Sequence, residues 1–314
     1  MILPRAQLVA AARASIAAGS KSFAAASALF GRTTRERVWL LYAWARAADD
    51  IADGQVLGGA LAAPADEAAN LARIRRLTAL ALAGEPTGDA AFDALGVVAA
   101  ECGISAVHTG DVITGFALDA AGWRPQTELE LLGYCYHVAG AVGVLMALVM
   151  GVPPEDHDTL DRACDLGIAF QLGNILRDIA EDHAGGRCYL PAQWLAEAGI
   201  AEADLMAPQH RPALAGMAAR LGARAQGYEA SARVGAARLP LRCRWAVLSA
   251  AGIYGAIARQ VVRRGPAAWN SRVTTSNAAK LGFVVLGLAQ ALLPARSCPP
   301  VPYARAQLAR AALS

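Results

Sequence analysis

The sequence predicts an all-α fold, and three observations carry that prediction. Alanine and leucine dominate, so most segments have strong intrinsic helix propensity. β-branched runs of strand length are rare. Glycine and proline punctuate the chain about every 15–30 residues, a helical spacing.

Taken in order, residues 4–18 make the first expected helix, closed by Gly19. Ser20 or Ser22 can cap the next one; with Lys21, the same hydroxyls and free helix N–H groups can hold a phosphate. Thr33 or Thr34 is expected to cap a helix running through Arg37 to Asp53. Residues 54–64 form a loop, placed to act as a flap beside Asp53. A charged helix over 66–83, a Gly/Pro turn at 84–88 and helices over 89–102 and 104–119 follow. Trp123-Arg124-Pro125 turns the chain, and Thr127 caps one helix that carries residues 134–143. After Pro153-Pro154 a helix begins near Asp158 and ends at Gly185-Gly186. Pro191 starts a short helix through Trp194. Residues 208–236 form another, and Leu239-Pro240 opens a long apolar helix through Arg264, broken by Gly265-Pro266. Residues 270–273 lie in a turn, 280–293 form a last helix, and the tail after Pro294 is loose until a final turn. No linker-like stretch appears, so one domain over 1–314 is expected.

Composition narrows the function. Hydrophobic residues make up 55% and charged residues 18% of the 314. The longest apolar run, 138–154, is rich in Gly and Ala and ends in two prolines; it reads as a buried, cavity-lining helix rather than a membrane span. A net charge of +3 without a basic block interleaved with aromatics argues against nucleic acid. Six scattered cysteines without C-x-x-C pairs suit a reduced, cytosolic protein. Arg5 and Arg13 interrupt any signal-peptide pattern. His137 belongs to no metal-binding helix motif and reads as a satisfied polar contact.

Two segments are hard to explain as ordinary core or surface: Y-A-W-A-R-A-A-D-D-I-A-D at 42–53 and Q-L-G-N-I-L-R-D-I-A-E-D at 171–182. On a helix, Tyr42, Arg46, Asp49 and Asp53 share one stripe, as do Gln171, Asn174, Asp178 and Asp182. The neighbours are apolar. Two carboxylates about 6 Å apart repel by roughly 3 kcal/mol at an effective dielectric near 20. Without a cation such a cluster should hold protons and raise its pKa values. Mg²⁺ fits, because it takes one or two carboxylates and completes its shell with water and phosphate oxygens. Arg46 and Arg177 lie beside the acids and could grip the same phosphate. Solvated acidic helix ends are the bland alternative, and they explain both stripes together poorly. Along the helix at 134–151, Ala139, Gly140, Gly143 and Gly151 admit close approach of a backbone or a slender ligand; spacing does not choose between them.

The block Y-C-Y-H-V-A-G-A-V-G at 134–143, the block N-x-x-R-D-x-x-E-D at 174–182 and R-C-Y-L-P at 187–191 resemble the squalene/phytoene synthase family. The stretch 239–257 is most similar to its bacterial phytoene synthases, and the likeness runs from Ser20 to about Leu288. The resemblance implies an isoprenoid synthase fold, a helical bundle around a central apolar cavity. It implies Asp49, Asp53, Asn174, Asp178 and Asp182 as metal ligands for Mg²⁺, with Mn²⁺ as the alternative. Ser20, Lys21, Ser22, Arg46, Arg177 and Arg272 would hold diphosphates, and Tyr42, Tyr134 and Tyr254 would face the reacting groups. Phe23, Val138, Ala139, Val142, Gly143, Leu166 and Gln171 would line the prenyl channels. Ala45, Ala47, Ala48 and Gly173 depart from the usual pattern without removing a ligand.

The implied activity is head-to-head condensation of two geranylgeranyl diphosphates to phytoene in carotenoid biosynthesis. NADPH is not expected. Substrate and product are both greasy, so peripheral contact with the cytoplasmic face of the membrane is expected, as is contact with other carotenoid-pathway enzymes. Two alternatives stay open. One is a squalene or dehydrosqualene synthase using C15 substrates; the other is a non-catalytic prenyl-lipid binder, in which the aspartates should have been lost.

Overall fold

The computed structural model describes residues 2–19, 26–52, 67–294 and 297–313. Among them every regular element is helical. The Cα positions group into two compact units, Met1–Ala121 with Val144–Leu160, and Gly122–Gly143 with Asp161–Ser314.

The first unit contains α1 (Arg5–Gly19), α2 (Arg32–Ala52), α3 (Glu67–Leu82), α4 (Ala90–Cys102) and α5 (Ala106–Ala120). Leu8, Ala12 and Ile16 recur at helical spacing on α1 and are buried. Arg5 ties three helices together, pairing with Glu36 of α2 at 2.7 Å and Glu101 of α4 at 2.6 Å. The core of α2 is Val38, Leu40, Leu41, Trp44 and Ala48, and the Trp44 Nε1 donates to Thr78 Oγ1 of α3. Neither Thr33 nor Thr34 caps α2: the helix begins at Arg32, so both threonines fall inside its first turn.

The second unit contains α6 (Glu128–Cys135), most of α8 (His157–Ala184), α9 (Ala192–Glu197), α10 (Arg211–Ala236), α11 (Leu241–Arg264), α12 (Asn277–Ala291) and α13 (Arg305–Ala311); α7 is Ala141–Val149. Thr127 caps α6 as expected, accepting from the Glu130 N–H at 3.2 Å. The single helix expected over 134–143 is instead α6 and α7 joined by a π-turn, Tyr136–Gly140. Such a turn inserts one residue and rotates the next helical face, a device common at functional sites. Pro191 caps α9 from outside rather than starting it. Beyond Arg264 the chain tightens into a 3₁₀ turn, Gly265–Asn270, with Gly265 at φ 55. The tail closes in α13, which docks on α6. A Cβ on Gly133 would lie 2.9 Å from both Leu308 O and Ala312 N, so only glycine allows that approach. His137 is buried, with Nε2 3.1 Å from Ala309 O, the satisfied contact the sequence suggests.

Two helical stretches are long and apolar enough to cross a membrane, Glu128–Val149 and Leu241–Asn270, which inspection of uninterrupted apolar runs missed. Glu128–Val149 is 72% buried within the fold, so its apolar surface is committed to the core.

Candidate active site

On α2, Tyr42, Arg46 and Asp49 keep partial exposure while Leu41, Ala43, Trp44 and Ala48 between them are buried. The stripe is therefore the accessible face of a mostly buried helix. Arg46 bridges two acids: its Nη1 lies 3.3 Å from Asp49, and its Nη2 donates a short hydrogen bond to Asp50. Asp49 keeps 44% of its side chain exposed against 12% for Asp50, so Asp49 is the one open to a ligand. A Cβ on Gly19 would fall 2.5 Å from the Tyr42 hydroxyl, so the end of α1 closes on that phenol. Burial pushes the Tyr42 phenol above its ordinary value. Ser20, Lys21, Ser22, Phe23, Asp53 and the expected flap at 54–64 lie outside the described residues.

On α8, Leu166, Phe170, Gln171, Asn174, Arg177, Asp178 and Asp182 are partly exposed, whereas Ile168, Leu172, Ile175, Leu176 and Ile179 are buried. Arg177 forks onto Asp178, Nε at 2.8 Å from one carboxylate oxygen and Nη2 at 2.5 Å from the other. Arg272 adds a second guanidinium, 2.7 Å from Asp178 and 3.8 Å from Glu181. The turn that delivers Arg272 is pinned by Trp269, whose Nε1 donates to the Leu176 carbonyl at 2.9 Å. Tyr254 of α11 is 39% exposed and stacks on Phe170, ring centroids 4.4 Å apart. Three segments thus converge around Asp178: α8, α11 and the turn after it. One helical turn further, Asp182 is pushed up to about 6, chiefly by burial and next by the charge of Asp178. A small pocket beside it is lined by Ile175, Ile179, Arg187, Cys188, Tyr189 and Leu190.

Tyr134 is buried in an aromatic stack, 5.3 Å from the Trp123 ring and 5.1 Å from that of Tyr189. Val138, Ala139 and Val142 are partly exposed around the π-turn. Gly143 is also partly exposed, and it packs on α8. Its bare Cα faces α8, where a Cβ would lie 2.3 Å from Ala163 O. Gly167 answers from α8, where a Cβ would lie 2.2 Å from Ala139 O. These glycines serve backbone-to-backbone packing.

Sequence reasoning missed Asp50, Trp123, Phe170, Glu181 and Tyr189 as neighbours of the site. Phe170 was findable, because it lies four residues before Asn174 and so shares its face of α8. The pairing of Trp123 with Tyr134 carried no local signal.

Among the described residues no three His, Cys, Asp or Glu side chains converge as a ready-made metal cage. The donor set nevertheless suits a hard divalent cation that needs only one or two carboxylates per ion: Asn174, Asp178 and Asp182 on one stripe, Asp49 on another. Asp182, raised chiefly by burial and next by the charge of Asp178, is a carboxyl group whose ionised form a bound cation would favour. The residues fit the ion.

Paired acids interleaved with arginines on partly exposed helix faces make a polar site within an all-helical protein. The squalene/phytoene synthase family matches residues 16–279. The chain is 46% identical to a 15-cis-phytoene synthase of Enterobacter agglomerans over 276 residues, 87% of this chain and 92% of that one. It is 45% identical to a 15-cis-phytoene synthase of a Paracoccus species over 280 residues, 89% and 90% of the two chains. A dehydrosqualene synthase crystal structure superposes with TM-score 0.79 at 27% identity, covering 91% of this chain and 96% of that one. A squalene synthase from Alicyclobacillus acidocaldarius, at 24% identity, covers 84% and 97% with TM-score 0.75, a likeness of fold. The chain belongs to the squalene/phytoene synthase family and has the all-α isoprenoid synthase fold.

Proposed function

We propose that the protein is a prenyltransferase that joins two geranylgeranyl diphosphates head to head to make phytoene. The observation that carries this reading is identity of 45–46% to 15-cis-phytoene synthases along about nine-tenths of the chain, against 27% to the dehydrosqualene synthase.

Asp49, Asp53, Asn174, Asp178 and Asp182 would hold Mg²⁺, or Mn²⁺ in its place. When bound, the ion neutralises diphosphate charge and stabilises the departing pyrophosphate. Arg177 and Arg272, now paired with Asp178, have the planar forks that suit phosphate oxygens, and Arg46 is their counterpart on α2. Lys21 and the Ser20 and Ser22 hydroxyls extend this grip. The clamp thus exchanges carboxylate partners for phosphate ones.

With the first diphosphate leaving, an allylic cation forms at C1. The C2=C3 bond of the second substrate attacks it, and loss of a proton closes a cyclopropane that still bears the second diphosphate. Ionisation of that group rearranges the ring to the 1–1′ linked skeleton, and a second proton loss gives phytoene. Tyr134 is our candidate proton acceptor together with the released pyrophosphate. Tyr42 and Tyr254 present aromatic faces to cationic carbon. Val138, Ala139, Val142, Leu166, Gln171 and Phe23 would line the dry channels that keep water from the cations.

The fold likeness to the dehydrosqualene synthase favours a second reading, condensation of C15 diphosphates. One assay separates them. Purified protein is incubated with C15 and C20 diphosphates separately, with Mg²⁺ and with or without NADPH, and the hydrocarbons are identified. Phytoene from C20 without NADPH is expected. A C15 preference, or squalene made only with NADPH, overturns the assignment. The greasy substrate and product also support peripheral contact from the cytoplasmic side of the membrane, where other carotenoid-pathway enzymes would take the product.

A further inference from the structure

The charges of this chain are unevenly distributed. Its last acidic residue is Glu229; residues 230–314 contain twelve Lys or Arg and no Asp or Glu. The first 229 residues therefore carry all 26 acids against 17 cations, and the basic last quarter pairs some of its cations back onto them: Arg233 and Arg259 onto Glu229, Arg272 onto Asp178 and Arg305 onto Asp161.

Within that basic quarter, α11 and α12 form an antiparallel hairpin. Trp245 Nε1 donates to Val284 O at 2.8 Å, and Arg244 reaches the carbonyls of Gln290 and Leu293. A Cβ on Gly287 would lie 2.4 Å from Ser249 Oγ, and one on Gly252 would lie 2.7 Å from Phe283, so the two backbones are close. This contact uses only one face of α12. The opposite face is apolar and open: Leu281 65% exposed, Val285 64%, Leu288 38% and Leu292 69%, at helical spacing. Leu286 and Leu293 widen it, and Leu241 of α11 is also exposed at the hairpin's end. Exposed arginines stand at both ends of the hairpin, Arg238 and Arg242 at one and Arg263 at the other.

A contiguous open apolar stripe of this kind marks a binding surface. Exposed flanking cations favour an occupant that is both apolar and anionic. A bilayer with anionic headgroups has that chemistry. Helix α12 has 15 residues, which span about 22 Å at 1.5 Å per residue, less than the roughly 30 Å of a hydrocarbon core. It is suited to lie in the interface, not to cross.

We infer that the open face of α12, with Arg238, Arg242 and Arg263 around it, docks the protein onto an anionic lipid surface. This deepens the membrane contact proposed above by naming its site and the lipid charge it reads. The leucines enter the headgroup boundary while the guanidinium groups meet phosphate.

The test is flotation of the purified full chain with vesicles of phosphatidylcholine alone or mixed with phosphatidylglycerol. Wild type is expected to bind the mixed vesicles at least tenfold more strongly, and to lose most of that excess between ~0.1 M and ~1 M salt, where the Debye length falls from about 10 Å to about 3 Å. Leu281→Asp with Val285→Asp should lower binding tenfold or more on mixed vesicles. Arg238→Glu with Arg242→Glu should erase the preference for phosphatidylglycerol and leave binding to phosphatidylcholine unchanged. All four positions are exposed, and matched thermal melts check that the variants fold. Wild-type flotation by either double variant overturns the inference. So does a wild-type dimer in solution that Leu281→Asp with Val285→Asp dissolves, because the face would then be an interface between copies. Condensation of C20 diphosphate in detergent micelles is measured alongside and should be unchanged in both variants. If it is absent in wild type while the flotation pattern holds, the catalytic reading fails and the lipid surface stands.

Discussion

The acidic stripes of α2 and α8 look alike as letters and differ as electrostatic objects. On α2 a single guanidinium, Arg46, bridges Asp49 and Asp50, and Asp49 remains 44% exposed. On α8 two guanidinium groups crowd Asp178, which keeps only 18% of its side chain exposed, while Asp182 one turn on is pushed up to about 6. The first stripe shares one cation between two acids, one of them open to water. The second is overcompensated at one carboxylate and undercompensated at the next. A motif of aspartates therefore does not define a charge state; burial and the reach of distant arginines do.

The largest expected effect tests whether both stripes serve one reaction. Asp49→Ala and Asp178→Ala should each lower turnover of C20 diphosphate by on the order of 100–1000-fold, the range for losing a main electrostatic contact to the transition state. Circular dichroism should be unchanged, and chelation should reproduce the loss reversibly. Activity in excess EDTA, or near-normal turnover in either variant, would remove that stripe from the site.

Next comes the contrast between the arginines. Arg177 offers Nε and Nη2 together to the two oxygens of one carboxylate, a fork that lysine cannot copy. Arg46 reaches its two acids with separate nitrogens. Arg177→Lys should therefore cost about 10- to 100-fold in kcat/KM, and Arg46→Lys distinctly less. Equal losses would mean that the fork is irrelevant to phosphate binding.

A third prediction concerns stability, with its sign set by Asp182. Its folded value near 6 stands above the ordinary 3.8, so between those values the folded protein holds a proton that the unfolded chain has released. This contribution to stability declines as pH rises through that window, and the penalty is complete above about pH 6. After discounting for a half-exposed group, Asp182→Asn should stabilise the metal-free protein by about 1–2 kcal/mol at pH 7.5. The gain should vanish near pH 4, whereas Asp49→Asn should lose up to about 1 kcal/mol with its ion pair. Urea melts in EDTA at both pH values measure this. A destabilised Asp182→Asn at pH 7.5 would refute the undercompensated state.

The smallest effect concerns chain length. Ala139 is partly exposed beside the π-turn, with its carbonyl packed on Gly167. Ala139→Phe should impair C20 turnover several-fold more than C15 turnover, since a C20 tail needs five more carbons of depth at about 0.8 kcal/mol each when buried. Equal losses on both substrates would show that this segment does not measure length.

The stripes themselves were legible in the sequence because helix periodicity is local: Tyr42, Arg46 and Asp49, like Asn174, Asp178 and Asp182, share faces by spacing alone. Helix ends with strong chemistry were equally plain, as at Thr127 and Gly19. The exposed hairpin was not, because composition averaged over 314 residues hid a basic last quarter behind a net +3.

What the sequence determined by itself is the all-α class, the family and the residue types on each reactive face. All of these rest on spacing within a turn or two, where geometry is dictated by the backbone. Tertiary structure alone decided the rest. It packed Gly143 against α8, inserted a π-turn into an expected continuous helix, and brought Arg272 to Asp178 across 94 positions of sequence. Packing and long-range charge depend on partners that no local pattern names, so the same Asp-x-x-x-Asp spacing on α8 carries a doubly paired carboxylate and, one turn later, a carboxyl group that holds its proton to about pH 6.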